Sequence, residues 1–251
     1  FEDYLPDHIE LYKLDGAEYE YDRWVQDNMQ TGYFQRPSVD GVETTWIHFE
    51  TQRPRPLAMF LTDELLGPDS GYVFPRGSNT SLNSGGNIEV LPAHSTLAGD
   101  YPYGRMVYGG GTAGTLLGVT YADAMNENQV NFFNSQAIQG PAVRVSTEWL
   151  AVGHVDEIFL FLPNAMAQEG ERSWKVIIAS PSLAIAALEQ LVEEGLGDSL
   201  VFEGRDAETT VSEILANDDL MNYQDLAQAR IDSVRETLKV SAGLTDGDFV
   251  E

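Results

Sequence analysis

His154 and Asp156 sit in Trp149-Leu-Ala-Val-Gly-His-Val-Asp-Glu-Ile158, two residues apart and between two strongly apolar runs. On an extended chain both side chains point the same way. An imidazole beside a carboxylate is an acid–base pair that works near neutral pH. A strand end that hydrogen-bonds a turn uses the same two residues, and a lone His-x-Asp is common. Asp27, in Arg23-Trp-Val-Gln-Asp-Asn-Met-Gln30, follows a short apolar stretch and precedes amides, which suits a strand-end turn or a pocket carboxylate. Arg53 and Arg55 are held apart by the stiff Pro54, an arrangement for anions or backbone carbonyls, or for local charge balance. Asn83-Ser-Gly-Gly-Asn-Ile-Glu89 is a glycine turn rich in carbonyls with one carboxylate, suited to a calcium ion or to an ordinary hairpin. The other histidines, His8, His48 and His94, have unremarkable neighbours. No P-loop, dinucleotide fingerprint, Gly-x-Ser-x-Gly or His-Glu-x-x-His is present.

The elements that must position these groups come from 251 residues, 43% apolar and 10% aromatic, enough for one large domain or two small ones. Cysteine is absent, which excludes a disulfide scaffold, a thiolate zinc site and a cysteine nucleophile within the chain. No apolar run approaches the ~20 residues of a membrane helix. With 14 basic against 40 acidic residues the net charge is -26, which repels nucleic acid and attracts cationic substrates and metal ions. Selection for solubility gives the same acidity. Short β-type runs are expected at Leu57–Thr62, Ile88–Leu91, Arg105–Tyr108 and Leu116–Thr120, and a helix over Tyr121–Ser135. Arg144–Val152 and Glu157–Leu162 read as paired strands, and Trp174–Ala179 as a buried strand. A helix capped by Ser182 carries Leu183, Ala187, Leu188, Leu191 and Val192 on one face. Beyond it the pattern predicts a strand at Ser199–Phe202 and helices over Thr209–Ala216 and Tyr223–Ser241. This recurrence describes an α/β domain assembled from small modules.

In order along the chain, Trp24-Val-Gln-Asp27, Arg53-x-Arg55, Gly67-Pro-Asp-Ser-Gly-Tyr-Val73, Asn83-Ser-Gly-Gly-Asn-Ile-Glu-Val90, Tyr101-Pro-Tyr-Gly-Arg105, Trp149-Leu-Ala-Val-Gly-His-Val-Asp-Glu157, Ala179-Ser-Pro181 and Leu200-Val-Phe-Glu-Gly204 resemble the catalytic domain of the protein-arginine deiminases. The related agmatine deiminases share part of the pattern; the arginine pair and Gly-Pro-Asp-x-Gly-Tyr-Val favour the protein-directed branch. The resemblance implies a pentein-type α/β propeller built from ββαβ modules, incomplete in this chain. It also implies hydrolysis of peptidyl arginine to peptidyl citrulline and ammonia. Asp27 and Asp156 would grip the guanidinium by paired hydrogen bonds. His154 would protonate the departing ammonia and then activate water. Trp24 would wall the arginine side chain by apolar and cation–π contact, and Arg53 and Arg55 would bind the substrate backbone.

The resemblance also marks departures. The family's nucleophile is a cysteine further on than Glu251. A companion chain from the same precursor is therefore expected to carry it, with residues 1–251 forming the larger portion of a single catalytic domain. A deiminase of free arginine or agmatine, and a guanidinium-binding module without turnover, are the alternatives. For calcium, the resemblance points to Gln26, Gln30, Gly85, Ile88 and Glu89 as a first site and to Asn28, Glu50, Thr51 and Pro54 as a second. Asn28 and Gln30 replace acids, and Pro54 has no side-chain oxygen to give. A weak first site and a lost second one are expected. The acidity, a start at Phe1 that suggests processing, and the sequon Asn79-Thr-Ser81 imply a secreted protein.

Overall fold

Turn residues cut the chain into short strands, and the few long apolar-periodic stretches become helices. The computed structural model describes residues 5–6, 9, 11–51, 56–111, 114–116, 119–121, 124–136 and 139–251, with the backbone alone at 34, 36, 50, 114–116 and 119–121. These form a mixed α/β arrangement of several small sheets, divided into a first unit of 1–87 with 125–132 and a second of 88–124 with 133–251. Arg53 and Arg55 lie outside the described residues, as does His8.

In the first unit α1 (Val25–Asn28) leads directly into β1 (Met29–Ser38). β1 pairs antiparallel with β2 (Gly41–Glu50), from Met29 opposite Glu50 to Ser38 opposite Gly41. This hairpin went unread in the sequence, although Asp40-Gly41 beside the β-rich Thr44-Thr-Trp-Ile47 is a hairpin signal. β3 (Ser70–Val73) joins β2 in parallel. The run expected as a strand at Leu57–Thr62 is instead helical, with α2 (Ala58–Phe60) continuing in a wider helical turn over Leu61–Leu65. Burial explains the outcome. Leu57, Phe60 and Leu61 are spaced at i, i+3 and i+4, and all three are buried. The start of α3 (Glu127–Asn134) closes the unit, with Phe132 stacked on Phe49 at 5.2 Å between ring centres. Asn83 ties these pieces together: its Nδ2 donates to the Ser78 carbonyl (2.7 Å), and its Oδ1 accepts from the Asn126 N–H (2.7 Å). The helix expected over Tyr121–Ser135 is thus shorter, because Val119–Tyr121 is a strand and Asn126 Oδ1 accepts the Asn128 N–H.

The second unit starts with β4 (Ile88–Leu91). Two short hairpins follow: β5 (His94–Thr96) with β6 (Gly99–Tyr101), and, after β7 (Arg105–Gly109), β8 (Gly114–Leu116) with β9 (Val119–Tyr121). β7 lies between antiparallel β4 and parallel β10 (Val143–Val145). The strands expected at 144–152 and 157–162 do not pair with each other. β11 (Phe159–Pro163) pairs with β12 (Trp174–Ile178), which pairs in parallel with the last strand, Phe249–Val250. α4 (Pro181–Glu193) is capped by Ser180, whose hydroxyl accepts the Leu183 N–H, rather than by Ser182. The strand expected at Ser199–Phe202 contracts to Leu200–Val201, and the helix expected at Thr209–Ala216 to α5 (Val211–Leu215). α6 (Asp218–Ala242) starts at an Asn217 cap and ends where Gly243 turns left-handed at φ +64°. Its stripe of Ala227, Ile231, Val234, Leu238 and Ala242 packs into a core with Val107, Val145, Trp149, Val155, Trp174 and Val176.

His94, in the second unit, is expected to make stability depend on pH. The ring is buried and stacked on Tyr101, and Nδ1 lies 2.7 Å from the Pro92 carbonyl. Burial lowers its pKa below 6.5; the Pro92 carbonyl opposes that shift, and Arg105 and Arg172 reinforce it. Below about pH 6.5 the unfolded chain therefore takes up a proton that the folded ring resists, and stability falls as pH falls through that window. Thermal unfolding between about pH 7.5 and 5.5, a range spanning the ordinary histidine pKa of about 6.5, is expected to show a decline that His94→Phe reduces. An equal decline in both proteins would remove His94 as the cause.

Candidate active site

The sequence-derived residues divide between the two units: Trp24, Gln26, Asp27, Gln30 and Gly85 belong to the first, Ile88, Glu89, His154 and Asp156 to the second. In the first, Asp27 lies in the single turn of α1 and is 8% exposed. A carboxylate so far out of water needs hydrogen-bond donors. One is the Gly86 N–H, 3.4 Å from Oδ1, offered by the 3-10 turn Gly85–Asn87. The main chain at this point is clamped by Thr51, whose hydroxyl donates to the Asp27 carbonyl and, at 3.2 Å, to that of Asn28. Asn28 Nδ2 donates to the Leu57 carbonyl (3.2 Å), and Gln30 Nε2 to that of Gly85 (3.0 Å). A Cβ on Gly85 would stand 1.9 Å from the Gln26 carbonyl oxygen, so the two segments approach closely because position 85 has no side chain. Trp24, just before α1, is exposed, with its N–H on Asp22 Oδ1 (3.1 Å). An exposed indole three residues from a buried carboxylate is suited to a flat cation.

In the second unit His154 is 4% exposed and extended, with φ -95° and ψ 147°. A 3-10 turn, Val155–Glu157, follows it, so the strand geometry expected to align His154 with Asp156 does not apply. Val155 is wholly buried in the core and pins this turn, and the His154 N–H donates to Glu157 Oε1 at 2.9 Å. Asp156 is exposed. β4 packs against the same turn, bringing Glu89 within electrostatic reach of Asp156. Burial pushes the Glu89 carboxyl above the usual glutamate range, and the Asp156 charge adds to that. The sequence reading assigned Glu89 to metal alone and missed this carboxyl pair; no local pattern links positions 89 and 156. Nor did it read Glu157, whose spacing from His154 fits the capping box with glutamate at the third position.

Each unit of this mixed α/β protein thus carries part of the candidate chemistry: a buried carboxylate and an exposed indole in the first, an imidazole and carboxylates in the second. The family model described as protein-arginine deiminase (PAD) matches residues 8–251. The chain is 36% identical to protein-arginine deiminase type-3 of Mus musculus over 243 residues, which is 94% of this chain and 34% of that protein. It is 33% identical to type-4 of Rattus norvegicus over 236 residues, covering 92% of this chain and 33% of the relative. Against type-1 of Homo sapiens identity is 34% over 239 residues, with the same coverages of 92% and 33%. The chain belongs to the protein-arginine deiminase family, and it spans about a third of the length of the curated relatives it matches.

Calcium, implied by the resemblance, finds a poor donor set here. Among the first-unit positions, Gln30 presents an N–H to the Gly85 carbonyl, and Asn28 and Thr51 likewise act as donors toward carbonyls. Among the described residues no three His, Asp or Glu side chains converge as a metal site would need. Asn28 Oδ1 is buried without a hydrogen-bond partner, and it is a single neutral oxygen. Calcium takes 6–8 oxygens, with affinity set by carboxylate count, and these residues do not fit it.

Proposed function

We propose that this chain is the larger part of a pentein-type catalytic propeller that hydrolyses peptidyl arginine to peptidyl citrulline and ammonia, with a cysteine supplied by a further polypeptide segment. The observation that carries the reading is the family match across residues 8–251, to relatives whose names state this activity. The buried, hydrogen-bonded Asp27 beside an exposed Trp24 supports it, as does a net charge of -26 for a cationic substrate. Helix α4 buries none of its residues and leaves Leu183 and Val192 exposed, apolar surface available to a further segment.

In this reading Asp27 and Asp156 each accept hydrogen bonds from guanidinium nitrogens and keep the group cationic and planar. The cysteine thiolate attacks the central guanidinium carbon. Its tetrahedral adduct collapses as His154 gives a proton to the leaving nitrogen, which departs as ammonia. Neutral His154 then removes a proton from water attacking the S-alkylthiouronium carbon. Expulsion of the thiolate leaves citrulline, with one oxygen gained from water and one nitrogen lost as ammonia. Arg53 and Arg55 bind the substrate backbone, which directs the enzyme to peptides.

Denaturing intact-mass measurement on the purified protein, before and after an amidine-bearing thiol reagent, tests the cysteine. Labelled mass on a polypeptide other than a 27.7 kDa species is the expected result, together with faster ammonia release from an arginine peptide than from free arginine or agmatine. A lone unlabelled 27.7 kDa species without turnover would make the same carboxylates a guanidinium-binding site. Preference for free arginine or agmatine would move the assignment to a small-molecule deiminase.

A further inference from the structure

We propose that hydrogen-bond donors of Gln30, Asn28 and Thr51 do the structural work of a divalent cation beneath Asp27, so that the Asp27 turn is set without calcium. A cation under such a turn neutralises converging oxygens. Here the carbonyl oxygens of Asp27, Asn28, Leu57 and Gly85 each already have an N–H or O–H donor. Gln30 Nε2 serves the Gly85 carbonyl at 3.0 Å, joining the start of β1 to the turn whose Gly86 N–H holds Asp27. Asn28 Nδ2 serves the Leu57 carbonyl at 3.2 Å. The Thr51 hydroxyl serves Asp27 and Asn28 together, and the Thr51 N–H returns to the Asn28 carbonyl at 3.0 Å.

The chemistry of the side chains sets the direction of these bonds. A carboxylate at position 30 would turn a bare oxygen toward the Gly85 carbonyl, and two oxygens facing one another need a cation between them. The carboxamide has a nitrogen to offer and closes the contact itself. The close approach of Gly85 to the Gln26 carbonyl oxygen fixes the distance over which this bond acts. The inference rests on the proposed function only in treating Asp27 as a substrate-binding group; its test reads ions and stability and needs no turnover.

Calcium stoichiometry by equilibrium dialysis and thermal unfolding, in chelator and in millimolar calcium, are to be compared among the wild-type protein, Gln30→Met and Gln30→Glu. Wild type and Gln30→Met are expected to bind the same number of ions, and Gln30→Met to unfold a few degrees lower by the same amount in both media. Gln30→Glu should unfold lower in chelator and recover in calcium. If Gln30→Met binds one ion fewer than wild type, or Gln30→Glu in chelator equals wild type, the proposal is overturned. Should Gln30→Glu not fold in chelator, the comparison of wild type with Gln30→Met decides alone.

Discussion

Asp27→Asn in the full protein is expected to lower kcat/KM for a peptidyl-arginine substrate by about 10²–10⁴-fold and to leave the unfolding temperature nearly unchanged. The substitution keeps shape and keeps an Oδ1 to accept the Gly86 N–H, 3.4 Å away in the wild type. It removes the charge. Each charge-assisted hydrogen bond contributes about 1.5–3 kcal/mol, so two to a guanidinium contribute about 3–6 kcal/mol. Tenfold in rate corresponds to about 1.4 kcal/mol, which gives the range above. At 8% exposure the carboxylate bears a burial cost that the neutral amide avoids, so folding should not suffer. Steady-state ammonia release alongside a thermal melt separates the two effects. Activity within tenfold of wild type, in a protein that melts normally, would take Asp27 out of the substrate site.

The candidate residues were easier to read than the geometry that holds them. Trp24, Asp27, His154 and Asp156 stand in recognisable local strings, and α6 and β12 have the length and periodicity that separate helix from strand. Leu57–Thr62 lacked both: a short apolar run reads equally as strand or helix, and only the burial of Leu57, Phe60 and Leu61 on one side decides it. His154-Val155-Asp156 alternates polar and apolar as a strand does. Val155 reaches the core from a 3-10 turn instead, since His154 and Glu157 close a cap around it. The support of Asp27 was invisible for another reason. Its donors come from Thr51 and Gly86, 24 and 59 residues away, and a hydroxyl or a backbone N–H leaves no periodic signature. The Glu89–Asp156 interaction likewise exists only once β4 has packed on the turn.

Gly85→Ala should destabilise the first unit by about 3–5 kcal/mol, whereas Gly32→Ala should change stability by less than about 0.5 kcal/mol. Both add one methyl group. At position 85 it would stand 1.9 Å from the Gln26 carbonyl oxygen and 3.1 Å from Gln30 Nε2, and neither α1 nor the glycine turn is a flexible side-chain end that can swing away. Separating them stretches the Gln30–Gly85 and Asp27–Gly86 hydrogen bonds, each worth about 1 kcal/mol or more when buried. At position 32 the nearest atom is Ile47 Cγ1 at 3.9 Å, an ordinary contact, and alanine in a strand costs less chain entropy than glycine. For a protein of this size, 2–4 °C per kcal/mol puts the expected drop for Gly85→Ala near 10 °C. Deimination should fall as well, because the displaced turn no longer holds the Asp27 carboxylate. Chemical denaturation of the two variants beside wild type checks the contrast: equal midpoints for Gly85→Ala and Gly32→Ala would mean that the close approach of the Gln26 carbonyl does not constrain position 85.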